Sequence, residues 1–555
     1  MYFTSLVLGL LSFLANTHAA SIALRTSSLS HPPSSALNVV GPVVDLRIAN
    51  KHIAPDGFNR SATLAGGTFP GPLIKAQKGS QFSINVVNQL DDPYQFLSTT
   101  VHWHGIFQNG TNYADGVAFV TQCPITQNSS FLYQFEAQRQ AGTYWYHSHY
   151  STQTCDGLRG PLVIYDPEDP LAYLYDVDDE TTVITLADWY HVLAPVLNHI
   201  IGVNPNSTLI NGLGRYKGGP NTNLAVTNVE YGKRYRLRLV GMSCYANFMF
   251  SVDGHNLTVI EADGLLTEPL LVDSLQIFPG QRYSVILNAN QPVGNYWMRA
   301  LPNIANATFE GGINSAILRY QGAPTADPTT HNSSSIIPML ETNLHALINP
   351  GAPGIPEYGM ADINVNLVVN NTEGMYYVND VFYKPPTVPV LLQILSGAQN
   401  ALDLMPSGSV ITLEPNKVVE LTVVTLGLGG PHPIHLHGHA FDVVQSAGNT
   451  SLFNYENPVR RDVVSAGSQG QQTVIRFVTD NAGPWFLHCH IDWHLEAGFG
   501  LIFAENPAGV SSHISKLPNA WANLCPIYNS LTPSQLGGID SYEQAKNIST
   551  LLFPS

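Results

Sequence analysis

One stretch of this 555-residue chain occurs twice, and the repeat limits what the chain can fold into. Ala141-Gly142-Thr143-Tyr144-Trp145-Tyr146-His147-Ser148-His149 is matched by Ala482-Gly483-Pro484-Trp485-Phe486-Leu487-His488-Cys489-His490. Upstream of these, Val101-His102-Trp103-His104-Gly105 is matched by Ile434-His435-Leu436-His437-Gly438. The middle of the chain holds a worn copy of both: Phe250-Ser251-Val252-Asp253-Gly254-His255, then Gly294-Asn295-Tyr296-Trp297-Met298-Arg299. Its shape residues recur, but Ser251, Asp253 and Arg299 stand where histidines would be. Repeated units of this kind imply one supersecondary unit used several times. We read three related domains, the middle one stripped of ligands.

The units are built of strands. Ser83-Ile84-Asn85-Val86-Val87 and Thr182-Val183-Ile184-Thr185-Leu186 are typical short β-branched runs set between Gly, Pro and Asn clusters. Such spacing predicts an all-β array of sandwiches or barrels. Pro- and Asp-rich linkers at 166–170 and 321–330 cut the chain into a first domain at 21–168, a second at 169–322 and a third at 323–555.

Charged residues are only 12% of the chain, against 44% hydrophobic, so large cores can form. The net charge of −16 argues against a nucleic-acid partner, since phosphate binding needs a basic surface. Residues 1–20 read as a secretory signal, with an apolar run from Leu6 to Leu14 and small residues around Ala19. The run is too short to span a bilayer, and no later apolar stretch is long enough either. N-x-[ST] triplets, among them Asn59, Asn109, Asn256 and Asn449, fit a glycosylated extracellular protein. The five cysteines leave at least one thiol over after pairing.

The twenty histidines are clustered. Chance would give about 0.7 His-x-His triplets; there are five, at 102/104, 147/149, 435/437, 437/439 and 488/490. Alternate residues of a strand share a face, so each triplet aims two rings the same way. Four such pairs, two from the first domain and two from the third, supply eight ligands to a metal cluster between domains. In His488-Cys489-His490 the cysteine must face away from that cluster. With His432 and His494 it makes the His₂Cys set of a blue-copper site. Zinc favours closed four-ligand sites, so copper fits better. Ten residues past Cys489 stands Phe499, which cannot supply the axial donor that often completes such a site.

Together the blocks His102-Trp103-His104-Gly105, His147-Ser148-His149, His432-Pro433-Ile434-His435-Leu436-His437 and His488-Cys489-His490-Ile491-Asp492-Trp493-His494 closely resemble those of multicopper oxidases, in particular the secreted fungal laccases. The resemblance runs from about Gly41 to Cys525 and implies three consecutive cupredoxin-like Greek-key domains. It implies four copper ions: type 1 on His432, Cys489 and His494, type 2 on His102 and His435, and a type 3 pair on His104, His147, His149, His437, His488 and His490. It also implies disulfides Cys123–Cys525 and Cys155–Cys244, leaving Cys489 free as a ligand.

The implied reaction removes one electron at a time from small phenolic aromatics near His494 and reduces O₂ to water at the cluster. Asp115 and Glu496 are candidates to deliver protons, and Asp492 is expected chiefly to orient a histidine. We read His439 as structural. Laccases of this type often carry an acid after the cysteine matching Cys244; here it is Tyr245, which is no base near pH 5 because its ordinary pKa is about 10. Ile201, Val203 and Leu428 are expected as apolar pocket walls, and the protein is expected as a monomer free of membranes. Two other readings are an Fe(II) oxidase, which would need acids around His494, and a non-catalytic copper carrier, for which the histidine cluster would be superfluous.

Overall fold

The computed structural model describes residues 37–199, 203–427, 429–448, 452–514 and 516–539, with 544, 546 and 547. The expected signal at 1–20, together with Ile201 and Leu428, lies outside the described residues. Among the described residues the strands form six sheets that fall in three consecutive pairs along the chain. In the first pair, a sheet ordered Val39–Val40, Leu73–Gln77, Arg159–Tyr165, Gly142–His147, His102–His104 lies with one built around Val43–Ile53 and Gln81–Gln89. The third pair repeats this plan, with the order Val410–Leu413, Gly500–Glu505, Gly483–Cys489, Pro433–Leu436, Val463–Ser465. Mixed parallel and antiparallel neighbours joined out of chain order are what crossed connections between two packed sheets produce.

The pattern that builds these sheets is visible in single strands. Gln81–Gln89 alternates buried and half-buried positions, placing Phe82, Ile84 and Val86 inside. Gly142–His147 and Gly483–Cys489 are buried at every position, and large aromatic or aliphatic residues fill their centres: Tyr144, Trp145 and Tyr146 in one, Trp485, Phe486 and Leu487 in the other. Among the described residues no helix is long and apolar enough to cross a membrane.

The internal repeat holds in register. His102 pairs with His147 across its ladder, His435 pairs with His488, and in the middle copy Ser251 pairs with Arg299. There the missing imidazoles are replaced by an ion pair: Arg299 donates from Nε and Nη2 to the two carboxylate oxygens of Asp253, at 2.7 Å each. Both residues are buried, so the charges satisfy one another where a metal would otherwise be needed. The disulfides are Cys123–Cys525 and Cys155–Cys244, and Cys489 is a buried free thiol.

Candidate metal centres

Strand geometry does most of the positioning. His102 and His104 sit on the same face of a three-residue strand, and His435 and His437 leave the strand Pro433–Leu436 in the same way. His488 and Cys489 end the strand Gly483–Cys489, and the short helix Asp492–Glu496 follows with His494 on it. The alternation then sends Cys489 to one side and the His488 and His490 rings to the other.

On the first side, Cys489 Sγ lies 3.7 Å from Nδ1 of His432 and 3.7 Å from Nδ1 of His494, and the two nitrogens are 3.0 Å apart. Phe499 occupies the remaining side, its ring 5.8 Å from that of His432 and stacked on Tyr376. Tyr376 also covers His494 at 4.5 Å, a contact the sequence reading missed because nothing in its spacing marks it. The Tyr245 ring stands 5.5 Å from His494, and burial raises its pKa further. Its backbone is fixed by Asp188, whose carboxylate accepts from the N–H groups of Cys244 and Tyr245 at 2.8 Å each. Val203 packs with Val192 and Trp493 against the Cys155–Cys244 disulfide, Tyr190 and Leu197.

On the other side eight imidazoles meet. Their nearest nitrogens form groups of three, two of which share His104: His102, His104 and His435; His104, His147 and His490; and His149, His437 and His488. His488 Nε2 lies 3.1 Å from His437 Nε2 and 3.4 Å from His149 Nε2, and His490 Nε2 lies 3.1 Å from His104 Nδ1. Burial pushes the pKa of His104, His147, His149, His435, His437 and His490 far down, and that of His488 to about 3. The rings are therefore neutral at ordinary pH, as metal ligation requires.

Acceptors outside the group choose which nitrogen points inward. The Nδ1–H groups of His102, His147, His435 and His488 donate to the carbonyl oxygens of Asp115, Ser148, Asp462 and Cys489 at 2.7–2.9 Å. His437 Nδ1 donates to Asp115 Oδ2 at 2.9 Å. Each of these rings is left with an inward Nε2 lone pair. Nε2 of His102, His147 and His435 is buried without any hydrogen-bond partner. Buried neutral nitrogens aimed at one another are costly unless a cation lies among them. The His₂Cys group and the all-imidazole cluster also have the donor chemistry of copper.

The expected carboxylates separate into three situations. Asp115 is fully buried and supports His102 and His437. Glu496 lines a cavity of about 410 Å³ that reaches His149 between Tyr150, Tyr383 and Phe486. The residue is solvent-exposed, yet packing around the carboxyl desolvates it and pushes its pKa up to about 7. Asp492 departs from expectation. Its carboxylate meets the disulfide, 3.2 Å from Cys155 Sγ, because its backbone N–H is tied to the Cys244 carbonyl. A carboxylate that does meet a cluster histidine, besides Asp115, is Asp462, 3.1 Å from His104 Nε2. Its setting, Arg460-Arg461-Asp462, gave no metal-site signal in the sequence. His439 is paired with Glu505 at 2.8 Å, outside the cluster.

A fold of three repeated β-domains with a His₂Cys group wired to a histidine cluster defines a class, and comparison with known proteins agrees. Family models described as multicopper oxidase match residues 47–169, 180–323 and 383–509. The chain is 57% identical over 506 residues to Laccase-5 of Trametes villosa, covering 90% of this chain and 95% of that protein. It is 56% identical over 535 residues to Laccase-2 of Pleurotus ostreatus, covering 94% and 99%. The solved laccase of Botrytis aclada superposes with a TM-score of 0.78 at 30% identity, covering 91% of this chain and 95% of that one. Fet3p, a multicopper oxidase that functions in iron import, gives 0.77 at 28%, covering 92% and 98%. The chain belongs to the multicopper oxidase family. Within it the chain stands among the laccases: it is an oxidoreductase, and its metal is copper.

Proposed function

We propose that four copper ions are held by this chain: one by His432, Cys489 and His494, one by His102 and His435, and a pair by His104, His147 and His490 and by His149, His437 and His488. The reading rests on one observation above all. The tripeptide His488-Cys489-His490 belongs to both sides at once, its sulfur 3.7 Å from His432 and His494 and its rings 3.1 Å from His437 and His104. Copper in these places supplies one-electron redox chemistry, four ions matching the four electrons that convert O₂ to two waters.

The residues of the chain do the rest. Tyr245 stands beside His494, with Val203 and Trp493 packed on the Cys155–Cys244 disulfide next to it, and these residues would offer an aromatic donor an apolar and phenolic surface. The peptide bonds around Cys489 are the shortest covalent link between the donor side and the O₂ side. Phe499 and Tyr376 exclude water and further ligands from the His432–His494 group. Asp115 keeps His102 and His437 oriented, through its carbonyl and its side chain. Glu496 holds a proton at the cavity that reaches His149, the route we assign to O₂ and water. Asp492 buttresses the helix carrying His494 through the disulfide.

The domain limits are 1–20 for a signal, then 21–168, 169–322 and 323–555. We place the protein outside the cell as a glycosylated monomer acting on small phenolic aromatics. The rings beside His494 are those of Tyr245 and Tyr376, which does not favour iron as the donor. The test is to measure copper per chain, and O₂ consumed per phenol oxidised. Four coppers and four phenols per O₂, without released peroxide, are expected. Two coppers, or peroxide as product, would refute the assignment.

A further inference from the structure

The middle domain holds no ligand of the cluster, yet it reaches into it. The turn between its strands Ser274–Ile277 and Arg282–Asn288 ends at Gly280, whose φ is +84°. A Cβ there would lie 2.8 Å from His490 Cδ2 and 3.0 Å from His104 Cε1. The backbone of the turn is thus the wall against which those two rings lie. Gln281 fastens it to the third domain by donating from Nε2 to the Val463 carbonyl at 3.1 Å.

Two residues on, Arg282 forks onto Asp462, Nη1 to Oδ1 at 2.7 Å and Nη2 to Oδ2 at 2.6 Å. The same Oδ1 accepts from His104 Nε2 at 3.1 Å, and the Asp462 carbonyl accepts from His435 Nδ1 at 2.8 Å. Asp263 of the middle domain completes a crossed clasp. It accepts from Arg461 Nε at 3.0 Å and from the Val463 N–H at 3.1 Å. Arg282, Asp263, Arg461 and Asp462 are all buried. Arg282 is further fixed by donating from Nε to the Thr143 carbonyl of the first domain at 3.0 Å.

His104 differs from the rings whose Nδ1 is held from outside. Its outer hydrogen bond is at Nε2, so its inward nitrogen is Nδ1, the atom facing His490. A carboxylate accepts only, so Asp462 selects this tautomer and ring orientation. The fork fixes the position of Oδ1 as a single hydrogen bond could not.

We propose that Arg282 and Gly280 are positioning residues of the copper cluster: Arg282, acting through Asp462, holds His104 with Nδ1 toward His490, and Gly280 leaves the space the two rings occupy. This rests on the ligand assignment above. It gives the ligand-free domain a role in the chemistry.

The experiment loads metal-free full-length protein with graded copper. Total bound copper is read by mass spectrometry, the cysteine-ligated copper by its visible absorption, and the cluster by electron paramagnetic resonance. Arg282→Lys keeps the charge but loses the fork. It should weaken cluster copper binding by about 10- to 100-fold, the range for loss of a residue supporting a ligand, and leave the visible absorption unchanged. Gly280→Ala should do the same by crowding His104 and His490, and decides the matter if Arg282→Lys does not fold. Arg238→Lys breaks another forked pair, with the half-buried Asp178, that touches no histidine, and should leave both signals unchanged. Wild-type cluster affinity in Arg282→Lys and Gly280→Ala would overturn the inference, as would equal loss of both kinds of copper. Unchanged copper content in His104→Ala would instead overturn the ligand assignment beneath it.

Discussion

Cys489 Sγ and His494 Nδ1 stand 3.7 Å apart, on the face of the chain opposite to the one that the neighbouring His488 and His490 rings share. Without a cation, burial drives the Cys489 thiol pKa strongly upward. A bound metal reverses this by stabilising the thiolate. Cys489→Ser should therefore remove one copper per chain and the visible absorption together. The cluster copper should remain, because His488 and His490 keep their backbone. Absorption and metal analysis check it.

Phe499 is buried, stacked on Tyr376 and 5.8 Å from the His432 ring. Phe499→Met should bring a thioether toward the His432–Cys489–His494 group and favour the oxidised ion, lowering its reduction potential. Redox titration of the visible band reads this. An unchanged potential counts against the axial reading.

Tyr245 lies 5.5 Å from His494 with its pKa raised by burial, so it takes no proton from a phenol at acid pH. Tyr245→Asp should increase kcat/KM for phenols by about 10-fold, a modest share of what a positioned base contributes. Oxidation of a dye without an ionisable hydroxyl should hardly change. Equal changes in both would contradict the role.

Glu496 faces the cavity that ends at His149. Glu496→Gln preserves size and removes the exchangeable proton. Turnover with O₂ should fall by about 100-fold, the lower end of general acid catalysis. Anaerobic bleaching of the visible band by a donor should keep its rate, since the donor side is untouched. Stopped-flow absorbance distinguishes the two half-reactions.

Asp442 offers a test of stability away from the metals. Burial raises its pKa to about 6 in spite of Arg460, whose Nε donates to its carboxylate at 3.0 Å. The unfolded value is about 3.9, so the folded chain binds this proton more tightly. The resulting stability is fully present below the unfolded pKa and is lost as pH rises through about 6. A shift of this size corresponds to about 3 kcal/mol. Asp442→Asn should flatten the decline between pH 4 and pH 7 by up to that amount, as followed by urea unfolding.

Local periodicity alone carries the strand-built repeat, the middle copy without His-x-His pairs and the paired histidines whose rings converge. His-x-His on a strand has only one way to face, and Cys489 between two histidines has only the other. Partners that meet across domains were not legible. Asp492 is only two residues from two histidines in sequence but turns to the Cys155–Cys244 disulfide, while Asp462, 358 residues from His104, takes the place beside that ring. Which nitrogen each imidazole presents, the reach of Gly280 and Arg282 into the cluster, and the cover of Tyr376 over His494 were decided only by tertiary structure. A hydrogen-bond acceptor selects a tautomer by its position in space, and that position is fixed by the packing of three domains, which no spacing along one chain encodes.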